Sequence, residues 1–164
     1  MDRSFSRTPR RLLMIGGMVA LIAAIAGSGV AVATSPVGTA TSTVIADGTF
    51  SNSVNINTDP IKLRTKDRVE VVQLSNTGTS GWSSGWHAHS GPVFVNITGG
   101  ALTFYSSNCH KTVLGVGQGY IESPYDPILA RNEGSVQATW ITTQVIPVGA
   151  SRRIDVPTGL CGVL

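Results

Sequence analysis

Short stretches in which apolar and polar residues alternate recur along most of this chain, and they constrain its fold more than any other feature. In residues 93–98 the aliphatic side chains stand at positions 93, 95 and 97, which is the alternation of a strand. Gly99 and Gly100 then predict a hairpin turn, and residues 101–105 return as the partner strand. The strongest strand signal is the run 136–146. With about eight to ten such strands and no convincing helix after residue 34, the sequence predicts an all-β antiparallel sandwich or barrel.

The first 33 residues are organised like a secretory signal peptide. Arginines 3, 7, 10 and 11 precede an uncharged apolar run, and small residues then lead to Ala31-Val32-Ala33, which resembles a signal-peptidase site. The alternative is a retained membrane anchor, since residues 12–33 are long enough to span a bilayer as an apolar helix; the positive-inside rule then leaves the rest of the chain outside. Both alternatives predict an exported protein, secreted or anchored on the outer side of the cytoplasmic membrane, which contacts the membrane only through this segment.

The rest of the chain is electrically balanced. From Thr34 onward, eight Lys and Arg residues are matched by eight Asp and Glu residues. The basic pI, about 9.2, therefore comes from the N-terminal arginines, and nothing in the folded part indicates nucleic acid binding. Residues 34–58 are rich in Ser, Thr, Gly and Asn and predict a flexible lead-in with one edge strand near Val44, and residues 59–164 form the predicted β-barrel domain.

The chain contains two cysteines, Cys109 and Cys161. In an exported protein such a pair is more often a disulfide than a metal or redox site. We therefore expect a bridge between them, which ties the C-terminus to the middle of the domain.

The chemically richest stretch is 81–93, which holds two of the three histidines and two of the three tryptophans. In an extended strand, His87 and His89 point to the same face because side chains alternate with period two. Two neighbouring imidazoles can chelate a divalent metal. No nucleophile motif or phosphate-binding loop accompanies them.

The spacing of this stretch resembles the first motif of the cupin family: Gly, five residues, His-x-His, three or four residues, Glu, six residues, Gly. Gly81, His87, His89 and Gly100 fall at the motif positions, whereas the carboxylate position falls on Val93. In the second cupin motif Asn132 matches, and Ile128 occupies the place of the third histidine. The resemblance extends over residues 61–161 and implies a jelly-roll barrel of the cupin type, a fold that often dimerises through a sheet, so a homodimer is expected as one alternative.

The resemblance also implies a pocket inside the barrel. Cupin metal sites combine three imidazoles and one carboxylate; here two ligands are missing, and the candidates to complete the pair His87–His89 are Glu122, on a strand, and His110, in a loop. Glu133 follows Asn132 in a predicted turn, where solvation is expected. The ligand-binding residues implied by this placement are Trp82, Trp86, His87, His89, Val93 and Ile128, with the two tryptophans either packed on the sheet or forming a stacking platform.

Three functions remain open from the sequence. The first is an exported, non-catalytic domain that binds a small molecule in its barrel, with or without a weakly held divalent transition metal. The second is a metal-dependent enzyme of the oxygenase or isomerase type, and the third is a cell-envelope interaction module with a vestigial pocket. The two apolar residues at ligand positions, Val93 and Ile128, favour the first.

Overall fold

A computed structural model describes residues 35–157 and 160–162. The predicted signal peptide or anchor, residues 1–33, lies outside the described residues. Within the described ranges there are twelve β-strands and one short 3₁₀ turn. No helix among the described residues is long and apolar enough to cross a membrane. The strands are β1 Ala40–Phe50, β2 Asn55–Asn57, β3 Lys62–Arg64, β4 Val69–Gly78, β5 His87–Ala88, β6 Val93–Gly99, β7 Ala101–Ser106, β8 Lys111–Gly115, β9 Gly119–Glu122, β10 Ile128–Arg131, β11 Ala138–Pro147 and β12 Ile154–Asp155, and the 3₁₀ turn is Leu160–Gly162.

Ten of these strands form two five-stranded sheets. The first has the order β1-β4-β11-β6-β9 and the second the order β12-β5-β10-β7-β8, while β2 and β3 make a separate hairpin. Every pairing recorded between these strands is antiparallel. The described part of the chain is therefore all-β, as the sequence predicts, and its two sheets are arranged as in a jelly roll.

The core contains side chains from both sheets, because alternate residues of the strands that pack against it point inward. In β6 the inward positions are Val93, Val95 and Ile97, all buried, and in β7 and β10 Phe104 and Ile128 join the same cluster. β11 alternates buried and part-buried residues over almost its whole length. The period-two pattern predicted for residues 93–98 and for the run near 140 is thus confirmed.

The first sheet begins before the boundary that composition suggests. β1, within the segment predicted as a lead-in, is eleven residues long and pairs with β4 from Ala40 opposite Gly78 to Phe50 opposite Val69. The predicted edge strand is therefore present, but it belongs to the sheet, which starts at residue 40 rather than 59. All eleven residues are exposed. A strand without a buried face needs no apolar alternation, so its Ser, Thr and Gly composition looks like that of a linker.

The predicted disulfide is present. Cys109 and Cys161 are bonded, with their Cα atoms 5.4 Å apart. The bond joins the turn between β7 and β8 to the 3₁₀ turn Leu160–Gly162.

Candidate metal centre

The two histidines of the His-x-His pair lie side by side in the interior. His87 begins β5 and pairs with Ile128 of β10 on one side and Asp155 of β12 on the other, and His89 follows directly after the strand. Their rings are 4.9 Å apart between centroids, and the two residues are only 6% and 7% exposed. The strand geometry expected from the sequence therefore places both imidazoles on one side.

Both imidazoles are oriented by backbone carbonyls. Nδ1 of His87 lies 2.9 Å from the carbonyl oxygen of Gly85, and Nδ1 of His89 contacts the carbonyl oxygen of Arg152. Because a carbonyl only accepts, each Nδ1 carries the hydrogen and donates it. Each Nε2 is thereby the atom left to bind a metal, which is the arrangement found around metal-ligating histidines.

A carboxylate completes the group from the neighbouring sheet. Glu122, the last residue of β9, is 6% exposed, and its Oε2 lies 2.9 Å from Nε2 of His89. Glu122 is the direct cross-strand partner of Val93 in the antiparallel ladder between β6 and β9. Directly opposed residues point to the same face with Cβ atoms about 5 Å apart. The carboxylate that the first cupin motif places at position 93 is thus supplied from the adjacent position on the next strand.

His87, His89 and Glu122 form a three-ligand cluster. One ligand atom from each residue lies within 4.8 Å of those of the other two. Two imidazoles and one carboxylate match the facial triad that holds divalent transition metals such as iron(II), with coordination positions left open. The chemistry of the donor set therefore fits a divalent transition metal.

The electrostatics of the cluster favour a bound cation. Burial is the main reason that the pKa of His87 is lowered to about 4, so this imidazole is neutral, as a metal ligand must be. Nδ1 of His89 donates to the Arg152 carbonyl, and its Nε2 faces the Glu122 carboxylate, which is an acceptor. A positive centre, either a proton or a metal ion, has to lie between these two atoms.

A cavity of about 140 Å³ adjoins the three ligands. Its walls include the predicted Val93 and Trp82, and Trp82 also packs on Trp140 with 4.9 Å between ring centroids. Arg153 and Gln144, which we did not single out from the sequence, line it as well.

Two residues predicted to bind ligand lie elsewhere in the described structure. Trp86 precedes β5 and is 0% exposed; it is a buried residue and not part of the cavity wall. Ile128, at the place of the third cupin histidine, is packed within the apolar core cluster and does not line the cavity. Both side chains are buried and neither is part of the cavity wall, and their predicted role in binding a ligand stays a prediction.

The other candidate ligands are remote from the cluster. His110 is exposed beside the disulfide and is not among the clustered ligands. Glu133 accepts hydrogen bonds from Tyr105 and Lys111, and the Lys111 contact is the main reason that its pKa is lowered. Glu122 is therefore the residue that completes the group.

A signal for Gln144 was present in the sequence. In β11 the buried positions are Ala138, Trp140, Thr142, Gln144 and Ile146. The two polar members of this inward series stand where an apolar side chain is usual, which marks the strand segment facing a polar pocket. Arg153 carried no comparable signal, because it lies outside regular strand.

Comparison with known proteins places this geometry in context. No protein-family model matches the sequence, and no curated protein matches it. Among solved structures, a cupin-like protein from Thermotoga maritima aligns over 56% of this chain and 77% of its own, with 13% identity and a TM-score of 0.48. A protein with a double-stranded β-helix domain from Klebsiella pneumoniae aligns over 54% and 76%, with 19% identity and a TM-score of 0.47.

A cupin domain from Bordetella pertussis aligns over 67% of this chain and 96% of its own, with 17% identity and a TM-score of 0.45. These three neighbours are described as a cupin-like protein, a protein with a double-stranded β-helix domain and a cupin domain. At these identities and TM-scores the likeness supports no statement about activity. The chemistry of this chain has to be inferred from its own residues.

Proposed function

We propose that this protein holds one divalent transition metal with His87, His89 and Glu122 and binds a small ligand in the adjoining cavity. The observation that carries the proposal is the convergence of three buried ligand atoms within 4.8 Å, with both histidines oriented to present Nε2. Three protein ligands leave coordination positions open, so a ligand in the cavity can bind the metal directly.

The proposed location is outside the cytoplasmic membrane. It is supported by the arginine-rich start, the apolar run and the small residues before Thr34, and by a disulfide of the kind that persists in oxidising compartments. In this setting the domain is exposed to the metals and small molecules of the cell envelope.

The test is metal binding by the full-length protein. After incubation with Mn²⁺, Fe²⁺, Ni²⁺, Cu²⁺ or Zn²⁺ and removal of free metal, elemental analysis is expected to find close to one ion per chain for at least one metal. The His87→Ala/His89→Ala double variant is expected to lose it, because a single carboxylate remains. His110→Ala is the matched control and is expected to retain it, since this exposed imidazole lies outside the cluster.

Substoichiometric metal in the wild-type protein with every ion, in a chain that is folded by circular dichroism, would contradict the proposal. Equal metal content in the double variant and in His110→Ala would do the same. The two histidines would then be buried polar groups of a binding domain without metal.

A metal-dependent enzyme is the second candidate, favoured by the same open coordination positions. Catalytic metal sites typically combine three protein ligands with an open position. Recovery of a bound compound unchanged after prolonged incubation with the metal-loaded protein distinguishes the binding function from turnover.

A further inference from the structure

Arg153 brings a positive charge to the cavity. Its side chain lines the cavity together with the three metal ligands. It is held in place by Nη2, which donates to the carbonyl of Ser84 at 2.8 Å, and by Nε, which donates to Asp155 at 2.6 Å. These contacts use two of the five guanidinium N–H groups.

The charge balance of the proposed metal site favours an anion. A divalent metal bound by two neutral imidazoles and one carboxylate leaves one positive charge in the interior, and Arg153 adds another that Asp155 offsets from its exposed position. A buried charge without a counter-ion is costly. A ligand that carries one negative charge neutralises the metal centre and can pair with the guanidinium.

Gln144 indicates that the ligand also carries a hydrogen-bond donor. It is 9% exposed and lines the cavity, and its Oε1 is buried without a hydrogen-bond partner among the described residues. Gln144 is the cross-strand partner of Val93, which in turn is opposite Glu122, so the three residues form a row across β11, β6 and β9. An unsatisfied buried acceptor in line with the metal ligands is matched by a ligand that carries an O–H or N–H group.

The size of the cavity limits the ligand. At about 140 Å³ it is close to the engineered cavity of about 150 Å³ that holds benzene, which has six non-hydrogen atoms. We infer that the ligand is a small carboxylate with a hydroxyl or amino hydrogen, whose anionic end binds between the metal and Arg153 and whose donor binds Gln144. This inference rests on the proposed metal centre.

The test compares small carboxylates with their uncharged amides in the full-length protein. The probe pairs are lactate and lactamide, and propionate and propionamide, titrated by calorimetry into Zn²⁺-loaded and into metal-free protein. Each acid that binds the loaded protein is expected to do so about tenfold or more tightly than its amide. Lactate is expected to bind more tightly than propionate, because only lactate has a donor for Gln144.

Two variants assign the effect to residues. Arg153→Gln is expected to weaken lactate binding about tenfold and to leave lactamide binding and metal content unchanged. Arg64→Gln, the same substitution on β3 outside the cavity, is the matched control and is expected to bind like the wild type. Gln144→Leu is expected to remove the preference for lactate over propionate, and it leaves no unsatisfied acceptor, so the protein stays folded.

The result that overturns the inference is the absence of any preference for an acid over its amide, or an equal affinity for lactate in Arg153→Gln and Arg64→Gln. Failure of the metal proposal is seen separately, as loss of metal before any probe is added. In that event the metal-free protein is compared with its Arg153→Gln variant. Lactate binding that is weaker in the variant still supports the anion site, and the absence of lactate binding overturns the inference.

Discussion

At the scale of single residues, the site is defined by the position of its carboxylate, which stands at residue 122 instead of at the motif position 93. A valine occupies the motif position of the carboxylate, and a glutamate directly across the ladder supplies the missing group. Because opposed Cβ atoms are about 5 Å apart, a glutamate side chain from either position reaches the same point near His89.

This geometry makes a prediction about swapping the two residues. Glu122→Val is expected to weaken Zn²⁺ binding at least about 100-fold, since loss of even an outer-shell partner costs about 10- to 100-fold. Adding Val93→Glu to this variant is expected to restore part of the affinity, because the carboxylate returns to the same face. Competition with a chromogenic chelator measures both dissociation constants.

The control for the swap is Ile121→Glu in the Glu122→Val background. Ile121 is exposed and points away from the cluster, because neighbouring strand residues face opposite sides. If Val93→Glu restores no more affinity than Ile121→Glu in folded proteins, positions 93 and 122 are not interchangeable and the cross-strand account is wrong.

How far the site could be predicted differs from residue to residue. His87 and His89 follow from period two alone, and Glu122 could be named as a strand carboxylate able to point inward. Its contact with His89 could not be derived, because the register of β6 against β9 depends on the hairpin β7–β8 that separates them in sequence. Trp86 and Ile128 do not line the cavity, and their ligand-binding role stays a prediction, because sequence spacing does not specify which buried side chains face a cavity and which pack in the core.

At the scale of elements, the segment from His89 to Val93 turns tightly against β11. Gly91 has its backbone so close to Val145 that an added Cβ would lie 1.9 Å from the Val145 carbonyl oxygen. The carbonyl of Pro92 accepts a hydrogen bond from the Val145 amide at 3.0 Å. The approach of this segment to β11 therefore positions the strand β6 that follows the histidines.

Gly91→Ala is expected to destabilise the protein by about 1–3 kcal/mol, the range for an overpacked interior site, because the backbone of β11 has to move. Gly48→Ala, where an added Cβ meets nothing within 4 Å, is the matched control and is expected to change the free energy of unfolding by less than about 0.5 kcal/mol. Urea unfolding measures both. Equal stability of the two variants would show that the contact between Gly91 and Val145 is not as close as described.

The exposed edge strand β1 is also linked to the metal-ligand cluster through Arg152. The guanidinium of Arg152 pairs with Asp47 of β1, at 3.1 Å, and with Glu70 of β4, while the carbonyl of the same residue accepts from His89. Strand β1, which composition presents as a linker, thus contributes to holding the backbone that orients a metal ligand.

At the scale of the whole molecule, the two sheets and the disulfide join segments that are far apart in sequence. The class of fold could be predicted from alternation and turns, since these are local signals. The pairing of the two cysteines could be predicted from their number together with the expected compartment. The order of strands could not, because β4, β11 and β6 are neighbours in space but far apart in sequence. The bridge between Cys109 and Cys161 joins parts of the chain 52 residues apart.

Closing a loop of this length is expected to stabilise the folded protein by about 4 kcal/mol in the chain-entropy model, because the unfolded chain loses conformational freedom. A reducing agent should therefore lower the urea midpoint of the wild-type protein, and Cys109→Ser/Cys161→Ser should show the lower midpoint with or without it. Metal content should not change, since neither cysteine belongs to the cluster. A wild-type midpoint insensitive to reduction, together with a mass that shows two free thiols, would mean that the folded chain is held together by its sheets alone.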